Sequence, residues 1–395
     1  MLDSIYIGMS GLQGYSRGLK VIANNTANIN TPGYKGSSLQ FADMFYSNSG
    51  TGGNSSGTFG QVGHGLLTNG TTLNFKQGEL RQTGNSLDLA VDGEGMFTLK
   101  DADGQLRYTR AGQFEFNSDG ALVNRNDGSK VMALDSSGNM VEISANGSRA
   151  NNAKATTTIK FSGNVPAGGT TQTINSVKVI DSNGAEHILT VTLTNTNATT
   201  PGSWRVDVLD GTTNVGTSQI IFDTGKPTTA TSKLNINYTP AGLTAMPLQL
   251  DFSTDVTSVA PGTLQAIGYV SNDGFTSGAL SGVSFDAAGV MILTYTNGQT
   301  VKGNKLALAR FDSTDDVASV GSNQFKALNT KSWHRGTANG NGFGSIKSGQ
   351  VEISNVDLSQ EFSDLVIMQR GYQASSQIVT TANEMLQELF SMKGK

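Results

Sequence analysis

The chain of 395 residues contains no cysteine, which excludes disulfides, thiolate catalysis and thiolate metal sites. An exported protein can also lack cysteine, so this absence leaves the compartment open. Charged residues make up 15%, the net charge is −4, and no basic cluster exists, which argues against nucleic acid or an anionic membrane as the main partner. No apolar run reaches the roughly eighteen residues of a membrane span, so no membrane insertion is expected. The first residues, MLDSIYIGMSGLQGYS, place an acid and several glycines where a signal peptide needs a basic start and an apolar core. The expectation is a cytoplasmic chain, or one exported by a route without a cleavable signal.

Chemistry is equally sparse. The three histidines, His64, His187 and His334, are far apart and read as loop or strand residues without an acidic or imidazole neighbour. Asp101-Ala102-Asp103-Gly104 begins like a calcium loop but lacks the later carboxylates and the terminal glutamate, so it reads as a hairpin turn. No Gly-Lys-Ser/Thr follows Gly60, Gly63 and Gly65, and no nucleophile elbow stands between a strand and a helix. Asp315 and Asp316 are adjacent and read as exposed. No catalytic residue, metal or cofactor is expected, and the chain does not read as an enzyme.

What is abundant is glycine, at 49 residues, with Ser, Thr and Asn around β-branched runs. The composition is too apolar for a disordered chain and too turn-rich for a helical enzyme. Helical periodicity is confined to the two ends. Leu2, Ile5, Met9, Leu12, Ser16, Leu19, Ala23 and Thr26 alternate spacings of three and four, and so do Leu365, Met368, Tyr372, Ser375, Val379, Ala382, Leu386 and Leu389. These stripes predict that the terminal helices pair as a coiled coil and carry assembly. Gly11, Gly14 and Gly18, with Gly8 at the edge, lie opposite the N-terminal stripe and predict close helix packing. Each costs about 1 kcal/mol of helix stability relative to alanine, so the helix needs partners on both faces. Its stability is expected to belong to an assembly, with the ends loose in a monomer.

Between the helices the chain reads as nested antiparallel β domains, giving a multidomain, mainly β fold with α-helical termini. The expected division is a terminal helical domain of residues 1–35 and 354–395. An extended, weakly structured connector covers 36–70 and 336–353, a β domain covers 71–150 and 261–335, and an inserted β sandwich or barrel covers 151–260. The first helix is expected to end near Asn30, before Thr31-Pro32-Gly33. Asp92-Gly93, Asp103-Gly104, Asp119-Gly120, Asp127-Gly128 and Asn183-Gly184 read as hairpin turns. Ser354-Asn355-Val356-Asp357 reads as the cap of the last helix.

Several of these stretches together resemble the bacterial flagellar axial proteins, the rod–hook family. Gly8 to Leu12, Ile22 to Asn28 (with Asn24, Asn25 and Asn28), and Thr31-Pro32-Gly33-Tyr34-Lys35 are similar to its N-terminal signature. Leu87 to Phe97 and Tyr108 to Gly112 resemble its next block, and Ser354 to Leu358 and Met368 to Gln373, with Arg370, its C-terminal signature. Thr26 stands where the family more often has an apolar residue. The middle resembles that of the hook branch at Val179 to His187 and at Tyr269 to Phe311, whereas rod members have a much shorter middle.

The resemblance implies a structural subunit of a curved, flexible tube that acts as a universal joint between motor and filament. It implies self-association, and as partners rod proteins, a hook cap protein, hook–filament junction proteins and the flagellar type III export apparatus. It also implies an extracellular place in the flagellum without a cleaved signal. A distal rod or hook–filament junction protein is the alternative. A secreted β-rich adhesin or carbohydrate-active protein is the remote one, with Trp204 and Tyr238 as its only evident aromatic platforms.

Overall fold

The structure is a computed structural model that describes residues 2–49, 60–260 and 265–393. Part of the expected connector, residues 50–59, and Pro261 lie outside the described residues, as does the side chain of Leu2. The chain forms two compact units: Met1–Asn146 with Val283–Ile292 and Lys302–Lys395, and Gly147–Gly282 with Leu293–Val301.

The first unit carries both long helices, α1 (Leu2–Ala27) and α2 (Leu358–Lys393), which pack against each other. α1 stops at Ala27, a little earlier than expected, and the chain continues as turns braced by Asn28. Asn28 Nδ2 donates to the Asn24 carbonyl at 2.9 Å, and Asn28 Oδ1 accepts from the Thr31 hydroxyl at 3.1 Å. Asp357 caps α2, its Oδ1 accepting from the Ser359 and Gln360 amides at 2.8 and 3.3 Å. Within the expected stretch Ser354–Asp357, Asp357 is the capping residue.

The weakly structured connector is a correction. Ser37–Asp43 pairs antiparallel with Leu66–Leu73, with a bulge between Leu39 and Phe41. Further along, Leu80–Gln82 pairs with Gln350–Glu352, and Leu89–Asp92 with Ser345–Ser348. Outgoing and returning chain are therefore hydrogen-bonded to each other before the β domain proper. There Met96–Lys100 pairs with Leu106–Thr109, Lys130–Leu134 and Leu308–Phe311. Tyr108, Met96, Ala309, Val317 and Phe325 form one of its cores, with Phe75, Phe311 and Trp333 packed around them.

The hairpin turns share a device that is only partly visible as Asp-Gly. At Asp135, Asp181 and Asp286 the carboxylate accepts from the amides two and four residues on, at 2.8–2.9 Å. The third residue on is a glycine at φ +73 to +87°, a region that costs glycine nothing. Gly104, Gly120, Gly128 and Gly184 each turn between paired strands. Gly93 does not: its preceding strand pairs with Ser345–Ser348, so Asp92-Gly93 is a bend and not a hairpin.

In the second unit two sheets enclose a single core. Thr171–Ile180, Glu186–Asn195, Ser203–Asp210 and Thr213–Asp223 form an antiparallel meander. Lys233–Tyr238, Met246–Thr257, Thr158–Asn164 and Gly268–Asn272 form the other sheet, with one parallel pair between Thr158–Asn164 and Met246–Thr257. Alternation places Leu189, Val191 and Leu193 inward from one sheet and Leu234, Ile236 and Tyr238 from the other. Trp204 and Tyr238 are buried in this core, so neither is a glycan platform; the Tyr238 hydroxyl donates to Asp210 at 2.7 Å.

Asp273 holds one end of the second unit together. Its carboxylate accepts from the Thr157 and Thr158 amides, both at 2.8 Å, and from the Thr157 hydroxyl at 2.6 Å, and pairs with Lys154 at 3.1 Å. Burial alone would raise its pKa, but these bonds outweigh it and hold the carboxyl well below 3.8. A depressed folded pKa contributes stability that is fully present above the unfolded value and is lost as the pH falls through the folded one. Asp273→Ala is therefore expected to cost about 2 kcal/mol at neutral pH, from losing several bonds to a charged acceptor. The difference from the parent should stay constant above pH 3.8 and shrink only below it, measured by urea denaturation across pH.

Candidate functional site

The predicted assembly residues fall on two different faces of α1. Gly8, Gly11, Gly14, Gly18, Ile22 and Asn25 are buried, and they repeat at three and four residues. This glycine face, not the stripe of large residues, lies against α2. A Cβ on Gly8 would sit 2.7 Å from Val379 Cγ2, on Gly11 2.6 Å from Ser375 Oγ, and on Gly18 2.9 Å from Met368 Sδ. Gly14 faces the neighbouring hairpin instead, where a Cβ would meet Leu66 and Phe41. The helices approach closely because this face has almost no side chains.

On α2 the predicted stripe does face α1. Ser375 and Ala382 are buried, and Leu365, Met368, Val379 and Leu386 are half-buried. Tyr372 and Leu389 lie at its exposed edge. On α1, by contrast, Met9 is 54% exposed and Ala23 is exposed, while Ile5, Leu12 and Leu19 are half-buried. The structure thus pairs the C-terminal stripe with the N-terminal glycines, and of the N-terminal stripe it leaves Met9 and Ala23 exposed. Within one chain the two helices lie in direct contact. Large apolar residues remain uncovered on both: Tyr6 and Met9 on α1, and Phe362, Ile367, Ile378 and Met385 on α2.

The asparagine-rich motif is a bracket at the base of this pair. Asn25 is buried, and its Nδ2 donates to the Ser37 carbonyl at 2.8 Å and to Glu361 of α2 at 2.9 Å. Its Oδ1 accepts from the Ser37 amide at 3.1 Å and from the Tyr34 hydroxyl at 3.2 Å. One side chain thereby ties α1, α2 and the first connector strand. Burial raises the pKa of Glu361, and Asp364 adds to this. Asn24 donates to the Tyr34 hydroxyl at 3.0 Å. Gly33, at φ +70°, donates its amide to the Glu352 carbonyl at 2.8 Å, and a side chain there would strike the backbone of Arg110 and Ala111. Arg370 lies on the exposed side of α2 and donates to Gln373 of its own helix at 3.3 Å.

A cluster that the sequence did not reveal lies beside this bracket. Glu352 is fully buried and accepts from Lys35 Nζ, from Arg110 Nη1 at 3.1 Å and from the Gly78 amide at 2.9 Å. Lys35 also donates to the Lys76 carbonyl, and Arg110 to those of Val91 and Gly93. Burial lowers the pKa of Lys35, and Glu352 opposes that shift. Lys35 and Arg110 sit inside recognisable motifs, but nothing in the sequence links them to a glutamate more than two hundred residues away.

The histidines need a correction too. His187 Nε2 lies 2.9 Å from Asp181, and His334 Nε2 lies 2.9 Å from Asp312, so each has an acidic partner. His64 stacks on Phe45 with ring centroids 4.5 Å apart. Among the described residues no group of three or more His, Cys, Asp or Glu is placed to hold a metal ion.

Comparison with known proteins agrees with this architecture. The family described as flagella basal body rod protein matches residues 5–35, the flagellar hook protein FlgE/F/G D1 domain matches 90–175, and the flagellar basal body rod FlgEFG protein C-terminal family matches 347–392. The chain is 30% identical to flagellar hook protein FlgE of Borreliella burgdorferi, over 100% of both chains. It is 28% identical to FlgE of Escherichia coli, over 98% of each. The crystal structure of Helicobacter pylori flagellar hook protein FlgE2 is similar in fold, with a TM-score of 0.52 at 12% identity, covering 69% of this chain and all of the other. The chain belongs to the FlgE family of flagellar hook proteins, structural subunits of the bacterial hook.

Proposed function

We propose that the α1–α2 pair is the polymerisation element of a curved, flexible tube that acts as a universal joint between rod and filament. The observation that carries this reading is the division of faces on the pair. Glycines close the inner contact within one chain, while Tyr6, Met9, Phe362, Ile367, Ile378 and Met385 present apolar surface outward. An apolar surface of that kind on two long helices invites cover by neighbouring copies. The rod proteins, cap protein, junction proteins and type III export apparatus are the partners such a tube needs. Its place is outside the cell.

In this reading the second unit tunes bending and is not required for the tube. It has its own core, so it can fold without help. Replacing residues 152–277, the two-sheet body between the paired positions Asn151 and Gly278, by a short Gly/Ser linker is expected to leave polymers that are straightened or altered in curvature under electron microscopy. Loss of all polymer would refute this role. Straight, stiff polymers from the intact chain would favour the rod reading instead.

A further inference from the structure

The sequence holds six Asn-Gly pairs, beginning at Asn69, Asn146, Asn183, Asn297, Asn339 and Asn341. In this dipeptide the glycine nitrogen can attack the side-chain amide of the asparagine, because glycine has no Cβ to obstruct the ring that forms. The attack needs an asparagine side chain that is free to turn and a glycine N–H that is free to lose its proton. Hydrogen bonds to either group oppose it.

Asn297 is held most firmly. Its Nδ2 donates to the Thr276 carbonyl at 2.7 Å, and its Oδ1 accepts from the Gln299 amide at 3.0 Å. The Gly298 amide donates to the Tyr295 carbonyl at 3.0 Å. Asn339 Nδ2 donates to the Ala287 carbonyl at 2.9 Å, and the Gly340 amide to that of Thr337 at 3.3 Å. Asn146 Nδ2 donates to the Asp119 carbonyl at 2.6 Å. The Gly184 amide donates to the Asp181 carbonyl at 3.1 Å, which protects Asn183. Asn69 lies in the strand Leu66–Leu73, between Thr68 and Thr71, which pair with Phe41 and Leu39 and fix its backbone.

Asn341 differs from all of these. It and Gly342 are exposed, and neither its side chain nor the Gly342 amide has a hydrogen bond among the described residues. The rest of the turn is anchored, by Asn339 on one side and on the other by Phe343, which is 8% exposed and donates its amide to the Gly340 carbonyl at 2.9 Å. Asn341 itself stands at φ +48°, in the left-handed region that side-chain-bearing residues rarely adopt, and no hydrogen bond opposes its rotation out of it.

We propose that Asn341 is a self-modification site, at which the folded chain deamidates without an enzyme. The Gly342 nitrogen gives its proton to a solvent base and bonds to Asn341 Cγ, and Nδ2 leaves as ammonia, which closes a succinimide. Water then opens the ring at either carbonyl, giving aspartate or isoaspartate. Both products add a negative charge, and isoaspartate also lengthens the main chain by one carbon beside the buried Phe343.

The test is peptide mapping of the full-length chain aged at mildly alkaline pH, once folded and once in urea. Mass spectrometry with electron-transfer fragmentation locates the modified residue and separates aspartate from isoaspartate. In the folded chain the products at Asn341 should accumulate at least about tenfold faster than at Asn297 or Asn339. In urea the hydrogen bonds are gone, and the advantage should shrink to less than about threefold. Asn341→Gln should abolish the fast modification and leave the slow rates at the other pairs unchanged. Asn297 or Asn339 keeping pace with Asn341 in the folded chain overturns the proposal. So does an undiminished preference in urea, which would place the cause in the local sequence and not in the fold.

Discussion

Glu352→Ala should destabilise the first unit by about 3–5 kcal/mol, because it strands two buried cations that share one acceptor. The glutamate side chain has no solvent exposure, and neither does that of Lys35. Water cannot replace the lost carboxylate at those positions without opening the fold. The same side chain also accepts from the Gly78 amide, so three donors lose their acceptor together. Lysine can shed its proton, which arginine cannot. With the carboxylate gone, nothing from Glu352 opposes the burial that lowers the Lys35 pKa, so the folded value falls further below 10.5. A base whose folded pKa is depressed binds its proton better when unfolded, so the variant should gain stability as the pH rises from the lowered folded value up to 10.5 and stay level below it. Urea denaturation at several pH values measures both effects. Peptide-resolved hydrogen exchange should show the loss in the first unit, with protection of the second retained. A cost below 1 kcal/mol would show that the cluster is not a structural lock.

Gly11→Leu should separate the helix pair and abolish polymer formation. A Cβ alone would lie 2.6 Å from Ser375 Oγ and 3.3 Å from Ser375 Cβ, and the second of these atoms cannot rotate away. Overpacking of this kind costs about 1–3 kcal/mol even when neighbours can adjust. Here relief requires movement of a helix backbone. Gly14→Ala is the built-in comparison. Its nearest neighbour is the tip of Leu66, a flexible group, and the substitution gains about 1 kcal/mol of helix propensity. It should therefore be much milder than Gly11→Leu when sedimentation is used to measure polymer yield.

The helical ends, the capping stretch at Ser354–Asp357, most hairpin glycines and the alternating strands of the second unit were legible because their signals are local. The inner face of α1 was not. Hydrophobic periodicity shows which residues want cover, and it does not say whether a helix of the same chain or another copy provides it. The glycines were recognised as a close-packing face, yet only coordinates assign that face to α2. The Ser37–Asp43 strand was hidden by its polar composition and its bulge, which interrupt the alternation that strand recognition relies on. Asn25 and Glu361 stand 336 positions apart, and Lys35 and Glu352 stand 317 apart. Pairs of that kind leave no local trace. The Asp-x-x-Gly turns were half legible: the glycine is conspicuous, while the carboxylate that matters sits three residues before it.

The division of labour between the faces of α1 is the central claim, and Met9→Asp tests it most directly. Met9 is 54% exposed and lies off the glycine face that packs on α2. The substitution should leave the helicity and thermal stability of the monomer within error of the parent by circular dichroism. The same protein should yield no sedimentable polymer, because an aspartate would be buried without a partner wherever a neighbouring copy covers this stripe. Normal polymer from Met9→Asp would contradict the account, since the outward stripe would then carry no contact between copies.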